Sequence, residues 1–146
     1  MINKLLALYQ LLSNSLVLLI SNQIDKEKLL KQYFKKSIVY FDVGANIGTN
    51  VKFIKKIFGK NAIIHCFEPN HECLKILNNI PRIKINDFAI DKDNKSKNYY
   101  EHPISSWSSL KKIEGYKRKI KIKCSTLDKY IEKQKIKKID YLKIDT

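Results

Sequence analysis

A carboxylate, two glycines and a second carboxylate are spaced along the first half of the sequence in a pattern that suits a nucleoside ligand. Asp42 comes just before a turn that begins at Gly44 and ends at Gly48, and Glu68 follows twenty residues later. Glycine lets a ligand approach the backbone closely because it carries no side chain. A carboxylate such as that of Glu68 can accept hydrogen bonds from both hydroxyls of a ribose. The pattern therefore predicts a site for a ligand that contains adenosine.

The elements around these residues are expected to bring them to one edge of a parallel sheet. Short β-branched and aromatic runs are typical of buried strands, and apolar residues at helical spacing lie between them. In such a βαβαβ half-sheet, ligands bind beyond the carboxyl ends of the strands, so an adenine ring is expected beside Asp87, Phe88 and Ala89. The predicted strands are 38–43, 62–67 and 83–90; the predicted helices are 49–58 with Gly59 as a left-handed cap, 71–78 capped by Asn70, and one to about 134 that starts with a capping box of Ser125 and Asp128.

The turn from Gly44 to Gly48 distinguishes between the adenosine cofactors. A nicotinamide dinucleotide site requires the pattern Gly-x-Gly-x-x-Gly, whose second glycine lets the backbone meet a pyrophosphate. This turn reads Gly-Ala-Asn-Ile-Gly, and Asn46 stands where that second glycine would be. Asp42 suits a cofactor without phosphates, because its carboxylate can orient the ammonium group of a methionine moiety. The residues therefore favour S-adenosylmethionine, and glycines that merely turn the chain are the alternative.

Four segments of the sequence resemble the motifs of FkbM-type methyltransferases, in the order of that family. They are Phe-Asp-Val-Gly-Ala-Asn-Ile-Gly at 41–48, Phe-Glu-Pro at 67–69, Ser-Thr-Leu-Asp at 125–128 and Asp-Tyr-Leu-Lys-Ile-Asp at 140–145. The resemblance implies an α/β, Rossmann-like three-layer sandwich that uses S-adenosylmethionine to methylate a sugar or another small-molecule hydroxyl. The residues predicted to hold the cofactor are Asp42, Gly44, Ala45, Asn46, Gly48, Glu68, Asp87, Phe88 and Ala89.

The family pattern also predicts how the chain is divided. In that pattern Asp145 is followed by one residue and then by Glu-Gly, whereas this sequence ends at Thr146. We therefore expect an N-terminal helical segment at 1–36 and an incomplete methyltransferase domain at 37–146, with the first four parallel strands and an antiparallel pair. A fourth strand at 141–145 with an uncovered edge would template pairing with other chains. On this hypothesis the 146-residue chain is a fragment that self-associates and lacks activity.

A polar loop and the end of the fourth strand are the candidates for the acceptor side. Trp107 could line a sugar site and His102 could act as a base, but a surface loop with one anchoring aromatic is the favoured interpretation. Asp145 is the candidate catalytic residue for contacting the acceptor or the transferring methyl, and a carboxylate that only shapes the strand end is an equal alternative. The loop also holds Ser105, Ser106, Ser108 and Ser109, and it joins two strands predicted at 98–100 and 120–124, which are expected to be antiparallel.

The charge balance raises the alternative of a nucleic-acid ligand. The sequence has 29 basic and 14 acidic residues and a net charge of +15. The lysines are spread along the chain, which favours solvated surfaces, and the densest run, at 117–123, alternates with apolar residues as one face of a strand does. A nucleic-acid methyltransferase and a non-catalytic remnant that binds the cofactor or a partner chain are the alternative functions. Enzymes that methylate the amino groups of bases commonly have Pro-Pro directly after the Asp or Asn that follows the fourth strand. Thr146 follows Asp145 here, which argues against that subclass.

Cysteine and histidine positions predict neither disulfides nor a metal site. Cys66, Cys73 and Cys124 show no pairing pattern, which favours reduced thiols in a cytoplasmic protein. His65 lies in an apolar run and is expected in the core, and the remaining histidines, His71 and His102, do not complete a metal cluster.

The N-terminal segment is expected to contain two helices. A leucine-rich stretch at 5–20 is interrupted by polar residues, so we expect a helix that packs on the domain or on a partner, with a membrane anchor as the alternative. A second helix at 25–36 is amphipathic, and its buried face is predicted to hold Leu29, Leu30, Tyr33 and Phe34. The sequence does not predict the oligomeric state.

Overall fold

The computed structural model describes residues 23–145, and a four-stranded parallel sheet lies at its centre. The helices are α1 (Gln23–Tyr33), α2 (Thr49–Phe58), α3 (His71–Leu77) and α4 (Leu127–Gln134). The strands are β1 (Ile38–Val43), β2 (Ala62–Phe67), β3 (Lys84–Asn86), β4 (Ala89–Ile90), β5 (Lys97–Glu101), β6 (Arg118–Ile122), β7 (Cys124–Ser125) and β8 (Tyr141–Ile144). The order in the central sheet is β3-β2-β1-β8, with all strands parallel. The predicted α/β, Rossmann-like fold is confirmed.

Helices cover both faces of the sheet because successive side chains of β1 point to opposite sides. Tyr40 is buried in one apolar cluster with Val51 of α2. Phe41 is buried in another cluster with Tyr130 of α4. The sheet is therefore the middle layer of a three-layer sandwich, as the sequence predicts.

The elements around β1 agree with the sequence prediction except at α1. The bounds of β1, α2 and β2 are the predicted ones, whereas the helix predicted at 25–36 runs from Gln23 to Tyr33. Tyr33 was expected on the buried face beside Leu30, but it is 59% exposed. Phe34 packs against the core as predicted, and its N–H makes the last bond of the helical pattern, to Leu30 O at 2.9 Å.

The strand predicted at 83–90 is divided into two strands that belong to different sheets. β3 pairs with β2, and β4 forms a short parallel pair with β7. Asn86 anchors the end of β3 with two hydrogen bonds. Its side-chain NH₂ donates to Cys66 O at 2.9 Å, and its backbone carbonyl oxygen accepts from Glu68 N–H at 3.0 Å. The strand predicted at 120–124 is divided as well, since the antiparallel pair of β5 and β6 ends at Ile122.

Thr126 caps helix α4, so the predicted capping role of Ser125 is wrong. Thr126 Oγ1 accepts a hydrogen bond from Lys129 N–H at 3.2 Å. Ser125 belongs to β7, and its pairing with β4 keeps it extended one residue before the cap. Asp128 lies in the first turn of the helix, where the helix dipole favours a negative charge.

Gly48, the last residue of the turn after β1, is a position where an added side chain must displace its neighbours. Its φ is +79°, and an added Cβ would lie 2.7 Å from Ile80 Cδ1 and 2.9 Å from Leu77 Cδ2. We expect Gly48→Ala to lower the free energy of unfolding by about 2–4 kcal/mol, because it combines backbone strain with overpacking. Urea unfolding followed by circular dichroism measures the loss.

Gly59→Ala shows what backbone strain costs at a positive φ where the added Cβ has no neighbours. Gly59 was predicted as a left-handed cap, but its φ of +54° and ψ of −125° lie outside the left-handed helical region. A Cβ at Gly59 would meet no atom within 4 Å. This substitution therefore adds backbone strain without contacts. A Gly48→Ala loss no larger than the roughly 1 kcal/mol that left-handed backbone strain alone costs would contradict the packing argument.

His65 is buried among aromatic rings, as its apolar neighbours in the sequence predict. Its Nδ1 lies 2.7 Å from the hydroxyl oxygen of Tyr130, and its ring centroid lies 4.7 Å from that of Phe41. Burial lowers the pKa of His65 from its ordinary 6.5 to about 4. The folded chain therefore holds a neutral imidazole at this position near neutral pH.

The stability of the chain is consequently expected to fall as the pH falls below about 6.5. Between the folded pKa of about 4 and the unfolded pKa of 6.5, the unfolded chain binds a proton at His65 and the folded chain does not. This difference lowers the free energy of unfolding by up to about 3 kcal/mol at the acidic end of the interval. Urea unfolding between about pH 5 and 7 should show this slope in the wild type and a smaller one in His65→Gln. The exposed His71 supplies the control, and equal slopes in wild type, His65→Gln and His71→Gln would contradict the prediction.

The leucine-rich helix predicted at 5–20 lies outside the described residues. Between residues 23 and 145, no helix is long and apolar enough to cross a membrane. The predicted boundary between a 1–36 segment and a 37–146 domain falls in the short link between α1 and β1, and it stays a prediction.

Candidate functional site

The turn after β1 is fixed by hydrogen bonds to the end of β2. The N–H groups of Gly44 and Ala45 both donate to Phe67 O, at 3.0 and 3.2 Å. Gly48 N–H donates to Ala45 O at 2.9 Å, which closes the turn before α2 begins. The turn therefore lies against the carboxyl end of β2, where the predicted topology places it.

Asn46 lies at the centre of this turn in a left-handed conformation, with φ +50°. Asparagine tolerates this conformation because its short polar side chain can bond to the local backbone. Asn46 Oδ1 accepts from Ile47 N–H at 2.7 Å, and it also accepts from the Ser105 hydroxyl at 3.0 Å and from Cys73 Sγ at 3.6 Å. Asn46 thus joins the turn to helix α3 and to the loop that follows β5.

Glu68 is a buried carboxylate that holds the turn and helix α3 together. Its side chain is 4% exposed, Oε2 accepts from Asn46 N–H at 2.8 Å, and Oε1 accepts from Asn70 N–H at 2.8 Å. Asn70 in turn caps α3 as predicted, since its Oδ1 accepts from the N–H groups of Glu72 and Cys73. Burial raises the pKa of Glu68, and the two backbone N–H donors oppose that rise.

Asp42 is fully buried and forms an ion pair with a lysine of β8. Asp42 and Lys143 are opposite each other in the register of β1 and β8, and Lys143 Nζ lies 3.1 Å from Asp42 Oδ1. The same ammonium donates to Gly44 O at 3.0 Å. Burial raises the pKa of Asp42, and the charge of Lys143 opposes that rise. The positive partner that Asp42 was predicted to seek in a ligand is therefore also supplied by the chain itself.

Asp145 follows β8 at the same edge of the sheet. Its N–H donates to Val43 O at 3.0 Å, and its Oδ2 lies 3.4 Å from Lys143 Nζ. Its side chain is 80% exposed. Asp145 therefore presents an accessible carboxylate beside the buried pair of Asp42 and Lys143.

The residues expected to flank an adenine ring follow β3. Asp87 is exposed, and the ring of the half-buried Phe88 packs against that of Phe67 with centroids 5.7 Å apart. Ala89 belongs to β4 and packs in the cluster that contains Tyr99. The structure thus brings six predicted site residues together around one turn: Asp42, Gly44, Ala45, Asn46, Gly48 and Glu68. Ala89 instead belongs to the separate pair of β4 and β7.

Comparison with known proteins assigns this arrangement to a family. The model of the FkbM methyltransferase domain matches residues 42–146. The chain belongs to the FkbM methyltransferase family. No curated protein matches it.

Two solved structures are similar to this FkbM methyltransferase chain. An FkbM methyltransferase from Methylobacillus flagellatus KT is 15% identical, with a TM-score of 0.44, and the match covers 64% of this chain and 22% of that one. A putative rRNA methylase from Clostridium thermocellum is 17% identical, with a TM-score of 0.37, and the match covers 44% and 39% of the two chains. The FkbM chain thus spans well under two-thirds of the length of either protein.

The FkbM site has hydrogen-bonding groups that fit an adenosine cofactor. Each oxygen of Glu68 accepts one backbone N–H, and a carboxylate oxygen can accept two hydrogen bonds. One acceptor position therefore remains on each oxygen, which matches the two hydroxyls of a ribose. Among residues 23–145, no group of three His, Cys, Asp or Glu side chains is arranged to hold a metal ion.

Two residues of the FkbM site were not predicted in their structural roles. Lys143 belongs to the family motif at 140–145, but the motif does not predict its pairing with Asp42. The sequence signal for this pair is a lysine near the carboxyl end of one predicted strand, β8, and an aspartate near the carboxyl end of another, β1. Ser105 was one of several serines in a polar loop, and nothing in the sequence relates it to Asn46, 59 positions away.

Proposed function

We propose that the chain binds S-adenosylmethionine at the carboxyl ends of β1 and β2 and transfers a methyl group to a hydroxyl oxygen of a carbohydrate or another small molecule. Membership of the FkbM family supports methyl transfer. The observation that carries the proposal is the buried Glu68, which is bonded to Asn46 in the turn and to Asn70 at the start of α3. A carboxylate held in this way is a preorganised acceptor for a ribose.

The chain is proposed to act mainly by alignment of the two reactants. When bound, S-adenosylmethionine supplies a methyl group that its sulfonium centre already activates toward an oxygen nucleophile. Glu68 fixes the ribose, and Lys143, held by the buried Asp42, offers a positive charge to the carboxylate of the methionine end. Asp145, exposed beside that pair, contacts the acceptor hydroxyl, whose proton a carboxylate can accept. The adenine ring lies near Asp87 and Phe88.

Transfer of label from tritiated S-adenosylmethionine tests the proposed function. The purified chain is incubated with a set of neutral glycosides and, separately, with total RNA. We expect label in a glycoside and its loss in Glu68→Gln, while Glu72→Gln, a change at an exposed glutamate of the neighbouring helix, keeps it. Label that enters RNA would contradict the assignment of the acceptor. No transfer to any acceptor by a chain that binds the cofactor would contradict the proposed activity of this chain and favour the hypothesis of an inactive fragment.

Exposed basic residues on β6 favour one alternative, a nucleic-acid methyltransferase. Arg118, Lys119 and Lys121 are exposed along this strand, but Arg118 is paired with Glu101 and Lys119 Nζ lies 5.9 Å from the ring centroid of Tyr100. We expect random RNA to bind weakly at physiological salt and with a small salt slope, because few phosphates are neutralised. Fluorescence anisotropy of a labelled random RNA at increasing salt measures both. Tight binding that survives about 200 mM salt would favour the nucleic-acid function.

We also propose that the chain works in a reducing compartment such as the cytoplasm. All three cysteines, Cys66, Cys73 and Cys124, are free and buried. Burial raises the pKa of Cys66 to about 12 and that of Cys73 to about 11. Thiols that stay protonated are poor nucleophiles, so these side chains are suited to packing and not to disulfide exchange.

A further inference from the structure

A concavity beside the loop after β5 has a lining that combines an aromatic ring with several polar groups. Its volume is about 410 Å³, which is within the range of small-molecule sites. Among its lining residues, the serines, His102 and Glu114 have polar side chains, whereas Trp107 and Ile113 supply apolar surface. Lining residues include His102, Ser106, Trp107, Ser109, Ile113 and Glu114.

Trp107 presents an exposed indole ring that is held in place from behind. The side chain is 62% exposed, and its ring centroid lies 4.9 Å from that of His102, with an angle of 36° between the planes. His102 is itself fixed by two hydrogen bonds. Its ring Nδ1 accepts from Ile104 N–H at 3.0 Å, and its backbone N–H donates to Ser108 Oγ at 3.0 Å. A rigid aromatic surface of this kind binds a ligand with little loss of side-chain entropy.

The hydrogen bond to His102 Nδ1 also bears on the predicted role of this residue as a base. A nitrogen that accepts a hydrogen bond carries no proton, so the neutral imidazole carries its proton on Nε2. A general base needs a free lone pair that faces the hydroxyl of the methyl acceptor. The lone pair of Nδ1 already accepts the bond from Ile104 N–H. His102 is therefore placed as a support for Trp107.

The polar groups of the concavity select for the charge of the ligand. Glu114 is one of the lining residues, and a carboxylate at this surface would accept hydrogen bonds from hydroxyls and repel phosphates. Ser106 and Ser109 add hydroxyls at the same surface. A ring with an apolar face and hydroxyls around its edge complements this lining, whereas a nucleotide does not.

The loop that lines the concavity contacts the proposed cofactor site through Ser105. The Ser105 hydroxyl donates to Asn46 Oδ1 at 3.0 Å, and Trp107 lies only two residues further along the same short helical turn, Ser105–Trp107. The geometry points to this concavity as the acceptor subsite for a neutral carbohydrate ring, which stacks on Trp107 and donates hydroxyl hydrogens to Glu114. The assignment as acceptor subsite rests on the proposed function.

The single tryptophan of the chain makes a direct test straightforward. Tryptophan emission is recorded while the full chain is titrated with methyl glucoside, methyl galactoside, methyl mannoside and glucose 6-phosphate. We expect a saturable change with at least one neutral glycoside and binding of glucose 6-phosphate that is about fivefold weaker or more. Glu114→Gln should narrow this difference, because it removes the repulsion and keeps a hydrogen-bonding side chain. Saturation-transfer NMR of Trp107→Ala should show loss of glycoside binding, with S-adenosylmethionine affinity unchanged by calorimetry.

The outcomes separate this inference from the proposed function. No saturable change with any neutral glycoside, in a chain that binds S-adenosylmethionine, overturns the inference and leaves the cofactor site standing. Equal or tighter binding of glucose 6-phosphate by the wild type also overturns it. Glycoside binding by a chain that does not bind S-adenosylmethionine would keep the carbohydrate site and overturn both the acceptor role and the proposed function.

Discussion

Lys143→Met is expected to lower the free energy of unfolding by about 3–5 kcal/mol at neutral pH, because it leaves a buried carboxylate without its partner. Asp42 is fully buried, and Lys143 Nζ also bonds to Gly44 O, so the same substitution loosens the turn. Urea unfolding measures the loss. The loss should shrink as the pH falls, since removal of the ammonium raises the pKa of Asp42 further and lets the folded chain bind a proton more tightly than the unfolded chain.

A double-mutant cycle with Asp42→Asn is the control for this prediction. Asp42→Asn removes the buried charge but keeps the shape, so Lys143→Met should cost much less in that background than in the wild type. Equal losses in both backgrounds would show that the ion pair of Asp42 and Lys143 does not stabilise the fold. A loss in Lys143→Met that stays constant between neutral and acidic pH would contradict the same account.

Glu68→Ala is expected to weaken S-adenosylmethionine binding by about 1–3 kcal/mol, which corresponds to roughly 5- to 150-fold. The substitution removes the proposed acceptor of the ribose hydroxyls and leaves the N–H groups of Asn46 and Asn70 without their partner. Isothermal titration calorimetry measures the change in affinity. Glu68→Gln should also bind more weakly, because its amide can replace only one of the two acceptor oxygens.

Glu72→Ala is the matched control, since it removes a glutamate on the neighbouring helix whose side chain is 70% exposed. It should change the affinity by less than about twofold. An unchanged affinity of Glu68→Ala for S-adenosylmethionine, measured on a variant that still unfolds cooperatively, would contradict the proposal that Glu68 binds the ribose. A thermal melt of each variant separates loss of the site from loss of the fold.

The sequence predicts the part of the fold that depends on local patterns. β1, α2 and β2 have their predicted bounds because each is a continuous apolar run or an amphipathic repeat between clear turn residues. Asn70 was predicted as a helix cap from its type and position alone, and its side chain bonds as expected. The clustering of Asp42, Gly48 and Glu68 then follows from the parallel topology.

What the sequence misses depends on pairing between distant segments. The strand predicted at 83–90 is divided because Ala89 and Ile90 find their partners in Cys124 and Ser125, and nothing local indicates this exchange. The same pairing moves the helix cap from Ser125 to Thr126. The partner of Asp42 is Lys143, which is 101 residues away, and only the register of β1 and β8 brings the two together.

Calorimetric titration of the wild-type chain with S-adenosylmethionine and, separately, with NAD⁺ tests the central claim most directly. The turn from Gly44 to Gly48 lacks the glycine that a pyrophosphate needs, and Glu68 has one acceptor position left on each oxygen. The account predicts saturable binding of S-adenosylmethionine that is about tenfold tighter than that of NAD⁺, or more. No saturable binding of S-adenosylmethionine, or tighter binding of NAD⁺, would contradict the assignment of this site.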